Sequence, residues 1–268
     1  LRAWSRYAAA IETPHEAAPQ GTTRAGKAMT ARSRVGLFAT CLVDLVRPQI
    51  GFAAVKLLEQ SGCDVTVPRA QTCCGQPAWN AGADKDARAI AEQVIAAFSE
   101  FDYVVAPSGS CAGMIKRHYP EVLNNDPRAL ALAAKTHELT SFLVNVRGMN
   151  VVTANCAARA CYHDSCSSLR EMKVRDQPRK LLASVEGLSI SELTDGEVCC
   201  GFGGLFSVKY PEISERMADD KIADAAATGA EMLIGGDLGC LLHLEGRMKR
   251  QGKTMRVRHI AEVLADET

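Results

Sequence analysis

No apolar run in this chain reaches the ~18 residues needed to span a membrane, so nothing in it reads as a transmembrane helix. An excess of either charge is also lacking: 31 Lys and Arg balance 31 Asp and Glu. A neutral chain has no electrostatic hold on nucleic acid or on an anionic membrane surface, so neither is an expected partner. Aromatic residues are scarce at 5%, while the apolar share of 47% is enough for packed cores built from Ala, Val and Leu. No P-loop, G-x-G-x-x-G or Ser-His-Asp signature is present, which removes the sequence argument for a nucleotide, flavin or acyl-transfer site. The Cys-x-x-Cys spacing usual in structural zinc sites is missing as well.

Cysteine itself is plentiful, with eleven in 268 residues. Eight of them form a repeat: one Cys, a gap, Cys-Cys-Gly, a second gap, one Cys. The first copy is Cys41, Cys73-Cys74-Gly75 and Cys111; the second is Cys166, Cys199-Cys200-Gly201 and Cys240. The gaps are 31 and 36 residues in the first copy and 32 and 39 in the second. A disulfide framework is not expected, because such frameworks belong mainly to small secreted domains without a core, whereas this chain is long and its cysteine count odd. Reduced, cytoplasmic, metal-binding thiols are the expected state. Cys63 and Cys161 sit in strand-like stretches and read as core residues, and Cys156 reads as a loop residue.

The expected organisation follows the repeat: a disordered leader at 1–33, with a short helix near Trp4–Ile11 and Met29 as the natural start, then one cysteine-rich domain over 34–150 and a second over 151–268. The pattern alternates short apolar runs with helical stretches. In the first half, strands are expected at Val35–Ala39, Asp64–Val67 and Tyr103–Ala106. Helices are expected at Pro48–Ser61, Asp84–Ser99, from Cys111 to His118, and over one long stretch, Pro127–Val146. In the second half, strands are expected at Ala160–His163, Ser189–Leu193, Met232–Ile234 and around Val257. Its helices are expected at Pro178–Val185, Pro211–Thr228, Leu241–Gln251 and Ile260–Ala265. This is an α/β pattern with parallel sheets flanked by helices. In such folds the loops after the strands converge on one edge, where ligands bind. Cys41, Cys111, Cys166 and Cys240 all follow an expected strand, so four distant cysteines can meet once in each half.

Adjacent thiolates suit two irons of one cluster better than one tetrahedral zinc, and four thiolates suit one [4Fe–4S] unit. Cys41, Cys73, Cys74 and Cys111 are therefore the candidate ligands of one site, and Cys166, Cys199, Cys200 and Cys240 those of a second. Gly75 and Gly201 can take φ > 0 and turn the backbone close to a bulky group; Gly203 and Gly204 extend that turn, and their N–H groups are candidates to hold cluster sulfurs. Ser108 and Asp237 each stand three residues before a ligand cysteine, as an oxygen donor or as a helix cap. His163 lies near the second site, to tune it or simply to close a strand. His118, His137, His243 and His259 read as helical or helix-start residues without metal spacing.

The repeat resembles the cysteine-rich "CCG" domain of heterodisulfide reductase and related iron–sulfur oxidoreductases. Phe38-Ala-Thr-Cys-Leu-Val-Asp44, Gln71-Thr-Cys-Cys-Gly-Gln-Pro77, Pro107-Ser-Gly-Ser-Cys111, Tyr162-His-Asp-Ser-Cys166, Cys199-Cys-Gly-Phe-Gly-Gly204 with Phe206-Ser-Val-Lys209, and His259-Ile-Ala-Glu-Val-Leu264 resemble the lactate utilization protein A family, from about Val35 to Ala265. That resemblance implies a cytoplasmic iron–sulfur electron-transfer subunit of a bacterial complex oxidising L-lactate to pyruvate, with one or two [4Fe–4S] clusters. Its implied partners are a ferredoxin-like iron–sulfur subunit and a third small subunit. Where the heterodisulfide reductase domain offers five cysteines to a non-cubane cluster, each half here offers four, because Ser108 and Asp237 stand at the fifth position; a simpler cluster is implied. Two other readings remain open: a thiol–disulfide or heterodisulfide reductase subunit, and a zinc-stabilised scaffold without redox activity.

Overall fold

The computed structural model describes residues 32–267. The expected leader, with Trp4–Ile11 and Met29, lies outside the described residues, except that Ser33 already opens the first strand. The chain forms two four-stranded, wholly parallel sheets. Strands β1 (Ser33–Leu37), β2 (Cys63–Thr66), β3 (Tyr103–Ala106) and β4 (Thr136–Glu138) line up in the order β2-β1-β3-β4. Strands β5 (Asn155–His163), β6 (Glu186–Ser191), β7 (Met232–Gly235) and β8 (Arg256–His259) repeat it as β6-β5-β7-β8. The inner strands are covered on both faces, as parallel sheets require: Val104, Val105 and Ala106 of β3 and Met232, Leu233 and Ile234 of β7 are all buried.

The strand order sets where a ligand can sit. The chain winds in one direction from β1 to β2 and in the other from β1 to β3, so a crevice opens beyond the carboxyl ends of β1 and β3. Cys41 follows β1 and Cys111 follows β3. The same switch lies between β5 and β7, followed by Cys166 and Cys240.

The helices form for ordinary reasons. Helix Asp84–Phe98 buries Ala87, Ala91, Val94, Ile95 and Phe98 on one face, and Asp84 and Asp86 in its first turn complement the partial positive charge there. Phe98 is fully buried and packs at 5.6 Å on Phe38, which follows β1. Burying such a ring is worth roughly 2–3 kcal/mol. One apolar cluster runs through both halves, from Val35 and Leu37 of β1 to Ile234 of β7 and Leu264 of the last helix. That last helix, Ile260–Leu264, packs on helix Gln49–Gln60 of the first half.

Three elements differ from the sequence reading. The long helix expected over Pro127–Val146 is broken: Pro127–Ala134 is helical, Thr136–Glu138 is β4 beside β3, and helical turns resume at Leu139. His137 accordingly lies in a strand, not a helix. Cys156 lies inside β5, 6% exposed, not in a loop. Cys63 and Cys161 are core residues at 0% exposure, as read.

The halves also meet through His259, the last residue of β8. It is 1% exposed; its Nδ1 accepts from the Ala261 N–H, so the ring is neutral and its Nε2–H donates to the Pro107 carbonyl of the first half at 3.1 Å. Burial holds this imidazole down to about 4. A depressed imidazole favours the fold above its unfolded value of ~6.5, and that advantage is lost as pH falls toward 4. We expect His259 alone to remove about 3 kcal/mol of stability between those limits. Urea titrations at pH 7 and pH 4.5 should show the drop, and it should be smaller in His259→Asn.

Candidate metal centres

Each half positions its cysteines by the same devices. Cys41 opens helix Cys41–Val46, capped by the Thr40 hydroxyl, which accepts from the Val43 N–H at 3.3 Å. Cys111 lies in helix Gly109–Gly113, capped by the Ser108 hydroxyl, which accepts from the Cys111 N–H at 3.3 Å. Cys73-Cys74 sits in the loop between β2 and helix Gln76–Asn80, and Gly75 turns it with φ of +82°. In the second half Ser165 accepts from the Ser168 N–H just after Cys166, and Asp237 caps helix Leu238–Arg250, which carries Cys240. Gly201 turns the second Cys-Cys pair with φ of +85°; a Cβ there would stand 2.5 Å from the Ser214 carbonyl oxygen, so only glycine fits. A hydroxyl pins each loop from behind: Tyr119 donates to the Cys74 carbonyl at 2.9 Å, and Ser214 to the Gly201 carbonyl at 2.8 Å.

The result is two thiol quartets. In the first, the Sγ atoms of Cys41 and Cys73 are 3.9 Å apart, and thiol contacts continue from Cys73 to Cys74 and from Cys74 to Cys111. In the second, the contacts run Cys166, Cys199, Cys200, Cys240. All eleven cysteines are free thiols. Each quartet has two deep members, Cys74 and Cys111 or Cys200 and Cys240, and two half-buried at the rim, Cys41 and Cys73 or Cys166 and Cys199. Charge concentrates on one rim thiol per set. Hydrogen bonds from Cys41 and then Cys74 hold the Cys73 thiol well below its ordinary value, and those from Cys166 and Cys200 do the same to Cys199. Their donors Cys41 and Cys166 are pushed up, by that same bond first and by burial second.

The quartets lie close to the seam between the halves. Ser108 Oγ donates to Asp237 Oδ2 at 3.0 Å, and the Ser110 N–H donates to the same oxygen at 3.0 Å. Ser108 and Asp237 thus both cap helices and bond to each other across the seam. Gly109 packs against Ser168 of the other half, where a Cβ would meet Ser168 Oγ at 1.9 Å and its Cα at 2.8 Å. Gly109→Ala should therefore cost about 1–3 kcal/mol by overpacking the seam. Gly246→Ala, on an open helix face with only the Arg250 tip nearby, should be neutral or slightly stabilising. Thermal unfolding of the two variants provides the comparison.

A cavity of about 160 Å³ reaches Cys41, Cys73 and Cys111 and is closed by Phe202, Gly204 and Asp237 of the second half. A cleft of about 300 Å³ reaches Cys166 and Cys240 between Ser110 and His118 on one side and Ser165 and Glu171 on the other. His118 and Glu171 face each other across it at 3.7 Å.

Four thiols per set are the donor chemistry of iron–sulfur and of zinc sites. One further residue belongs here that the sequence placed only nearby. His163, at the end of β5, has a ring nitrogen within 4.8 Å of the sulfurs of Cys200 and Cys240, which also lie within that distance of each other. Burial lowers it to about 4, so the ring is neutral. The signal was present in the sequence: the position three residues before the first cysteine is Phe38 in one half and His163 in the other.

Comparison with known proteins agrees with the repeat. The profile of the cysteine-rich domain called CCG matches twice, over residues 35–116 and 160–245. The curated "Lactate utilization protein A" of Geobacillus kaustophilus is 51% identical over 235 residues, 86% of this chain and 98% of its own length. "Lactate utilization protein A 2" of Bacillus cereus strain AH820 is 46% identical over 236 residues, 87% of this chain and 98% of its own. Among solved structures, a hypothetical protein from Helicobacter pylori has the same fold at a TM-score of 0.64 and 11% identity; the match covers 88% of this chain and 49% of that one.

Proposed function

Since the chain belongs to the cysteine-rich CCG-domain proteins, and within them to the lactate utilization protein A family, we propose that it is an iron–sulfur electron-transfer subunit of a bacterial system oxidising L-lactate to pyruvate. The observation that carries this reading is the pair of thiol quartets, each at the switch point of a parallel sheet and each with two deep and two rim cysteines. Cys41, Cys73, Cys74 and Cys111 would hold one group, and Cys166, Cys199, Cys200 and Cys240 the other. A cysteine-held iron–sulfur group supplies one-electron storage.

The chain's own residues do the rest. The deep thiols fix the group against the fold, and the rim thiols keep one edge near solvent, where a partner can exchange electrons. Gly75, Gly201, Gly203 and Gly204 let the backbone follow the group closely, and the Gly201 N–H already points to Cys199 Sγ at 3.4 Å. Ser108 and Asp237 hold the two helix starts in register across the seam. Oxidation of lactate to pyruvate releases two electrons and two protons. Two one-electron sites in one chain match that count. A ferredoxin-like iron–sulfur subunit and a third small subunit are the proposed partners, in the cytoplasm.

A second reading rests on a distance. The 3.9 Å between Cys41 and Cys73 sulfurs is close to the ~3.8 Å edge of a tetrahedron built on metal–sulfur bonds of ~2.3 Å, so this pair suits a zinc ion as well as iron. Zinc would make the protein a scaffold without redox activity.

Complementation tests the pathway role. A bacterium deleted for its own lactate utilization protein A should regain growth on L-lactate with this chain and not with its Cys74→Ala variant. Equal growth with both would contradict an electron-transfer role for the first quartet.

A further inference from the structure

His163 is 1% exposed, and neither of its ring nitrogens has a hydrogen-bond partner among the described residues. Leaving a buried polar atom unpaired costs about 1–3 kcal/mol, so an imidazole with both nitrogens unpaired is an expensive choice for a core position. The other fully buried histidine among the described residues, His259, uses both of its nitrogens. The fold does not demand histidine here. The equivalent position in the first half is Phe38, 0% exposed and packed at a tilt against Phe98, so an apolar ring satisfies the same strand end.

What distinguishes the second half is where this ring lies. A nitrogen of His163 and the sulfurs of Cys200 and Cys240 all lie within 4.8 Å of one another, and all three residues are buried. Neutral imidazole is a good ligand for iron and zinc alike. We propose that His163 is a ligand of the metal group in the second half, beside Cys200 and Cys240 and in place of one of the rim thiols Cys166 and Cys199, which lie outside that trio, so that this centre is a mixed nitrogen–sulfur site and the first is all-sulfur. This rests on the metal-centre reading above and deepens it. The two centres of the duplicated chain then differ in kind. Neutral imidazole donates less charge to iron than a thiolate does, and histidine ligation raises reduction potentials where it replaces cysteine. The second centre is the one that fills with electrons first.

The test is pulsed EPR on protein carrying ¹⁵N-labelled histidine, reconstituted anaerobically with iron and sulfide and reduced with dithionite. The wild type should show a strongly coupled histidine nitrogen, recognisable because labelling changes its coupling from ¹⁴N to ¹⁵N, and His163→Phe should lose it while the first-half signal persists. His163→Gln serves as the second variant if phenylalanine disturbs folding, checked by circular dichroism. A reducible cluster with no histidine coupling in the wild type, or a coupling that survives in both variants, overturns the assignment of His163 and leaves the iron–sulfur reading intact. If no iron and sulfide are retained, that reading falls, and cobalt(II) alone then decides the ligand. Hyperfine-shifted imidazole protons in the wild type and their absence from His163→Phe support ligation by His163; their absence from the wild type overturns it.

Discussion

Cys200→Ala should leave the chain with about half of its metal and a much less stable second half. Cys200 is 2% exposed and lies between Cys199 and Cys240 in the thiol contacts, so its loss cannot be made good from solvent. Structural zinc in small zinc-finger sites contributes on the order of 10–16 kcal/mol at neutral pH, and a metal group that holds distant segments together stabilises the fold in the same way. Here it joins three segments, at 166, 199–200 and 240, that are separated along the chain. The matched control is Cys161→Ala. Cys161 is also fully buried, and burial pushes its thiol up to about 11, so it stays a protonated, apolar side chain in β5. Its removal should cost about 1–2 kcal/mol in packing and leave the metal content unchanged. Metal analysis and thermal unfolding of the two proteins make the comparison. Equal metal content in both would rule Cys200 out as a ligand.

Asp237→Ala should destabilise the protein by about 3–5 kcal/mol and disturb both centres together. The carboxylate is 5% exposed and takes three hydrogen bonds: from Ser108 Oγ, from the Ser110 N–H and from the Gly239 N–H. Loss of a helix cap costs about 1 kcal/mol, and each buried hydrogen bond to a charged group about 1.5–3 kcal/mol. The same residue lines the cavity of the first quartet and the cleft of the second. Asp237→Asn keeps the cap oxygen and the shape, so it should cost only about 1–2 kcal/mol and leave metal content unaltered if the role is capping and bridging. Metal loss in Asp237→Asn, beyond the small cost of the altered cap, would instead mark the carboxylate as a ligand.

How much of this was legible depended on sequence distance. The strands Tyr103–Ala106 and Met232–Gly235 are short apolar runs that could be read directly, and so could the helix Asp84–Phe98 from its spacing. The two cysteine sets were legible because the duplication repeats them. β4 was not: Thr136–Glu138 continues a helical pattern, and it becomes a strand only by pairing with β3, a contact that no local window contains. The early part of β5 was hidden differently. Asn155, Ala157 and Arg159 are exposed while Cys156, Ala158 and Ala160 are buried, a true two-residue alternation, but alanine on both faces erases the contrast that would reveal it. The Ser108–Asp237 bridge joins residues 129 apart in the chain and exists only because the halves pack seam to seam. The role of His163 needed both kinds of information: the duplication shows that it replaces Phe38, and only the fold brings it to Cys200 and Cys240.

The central claim is that the quartets hold iron–sulfur groups. Anaerobic purification with quantitation of iron, acid-labile sulfide and zinc, joined to EPR before and after dithionite, tests it most directly. The account predicts iron and sulfide together, a paramagnetic signal that responds to reduction, and loss of about half the iron when either quartet is broken. Stoichiometric zinc with neither iron nor sulfide, in a colourless and EPR-silent protein, would contradict it.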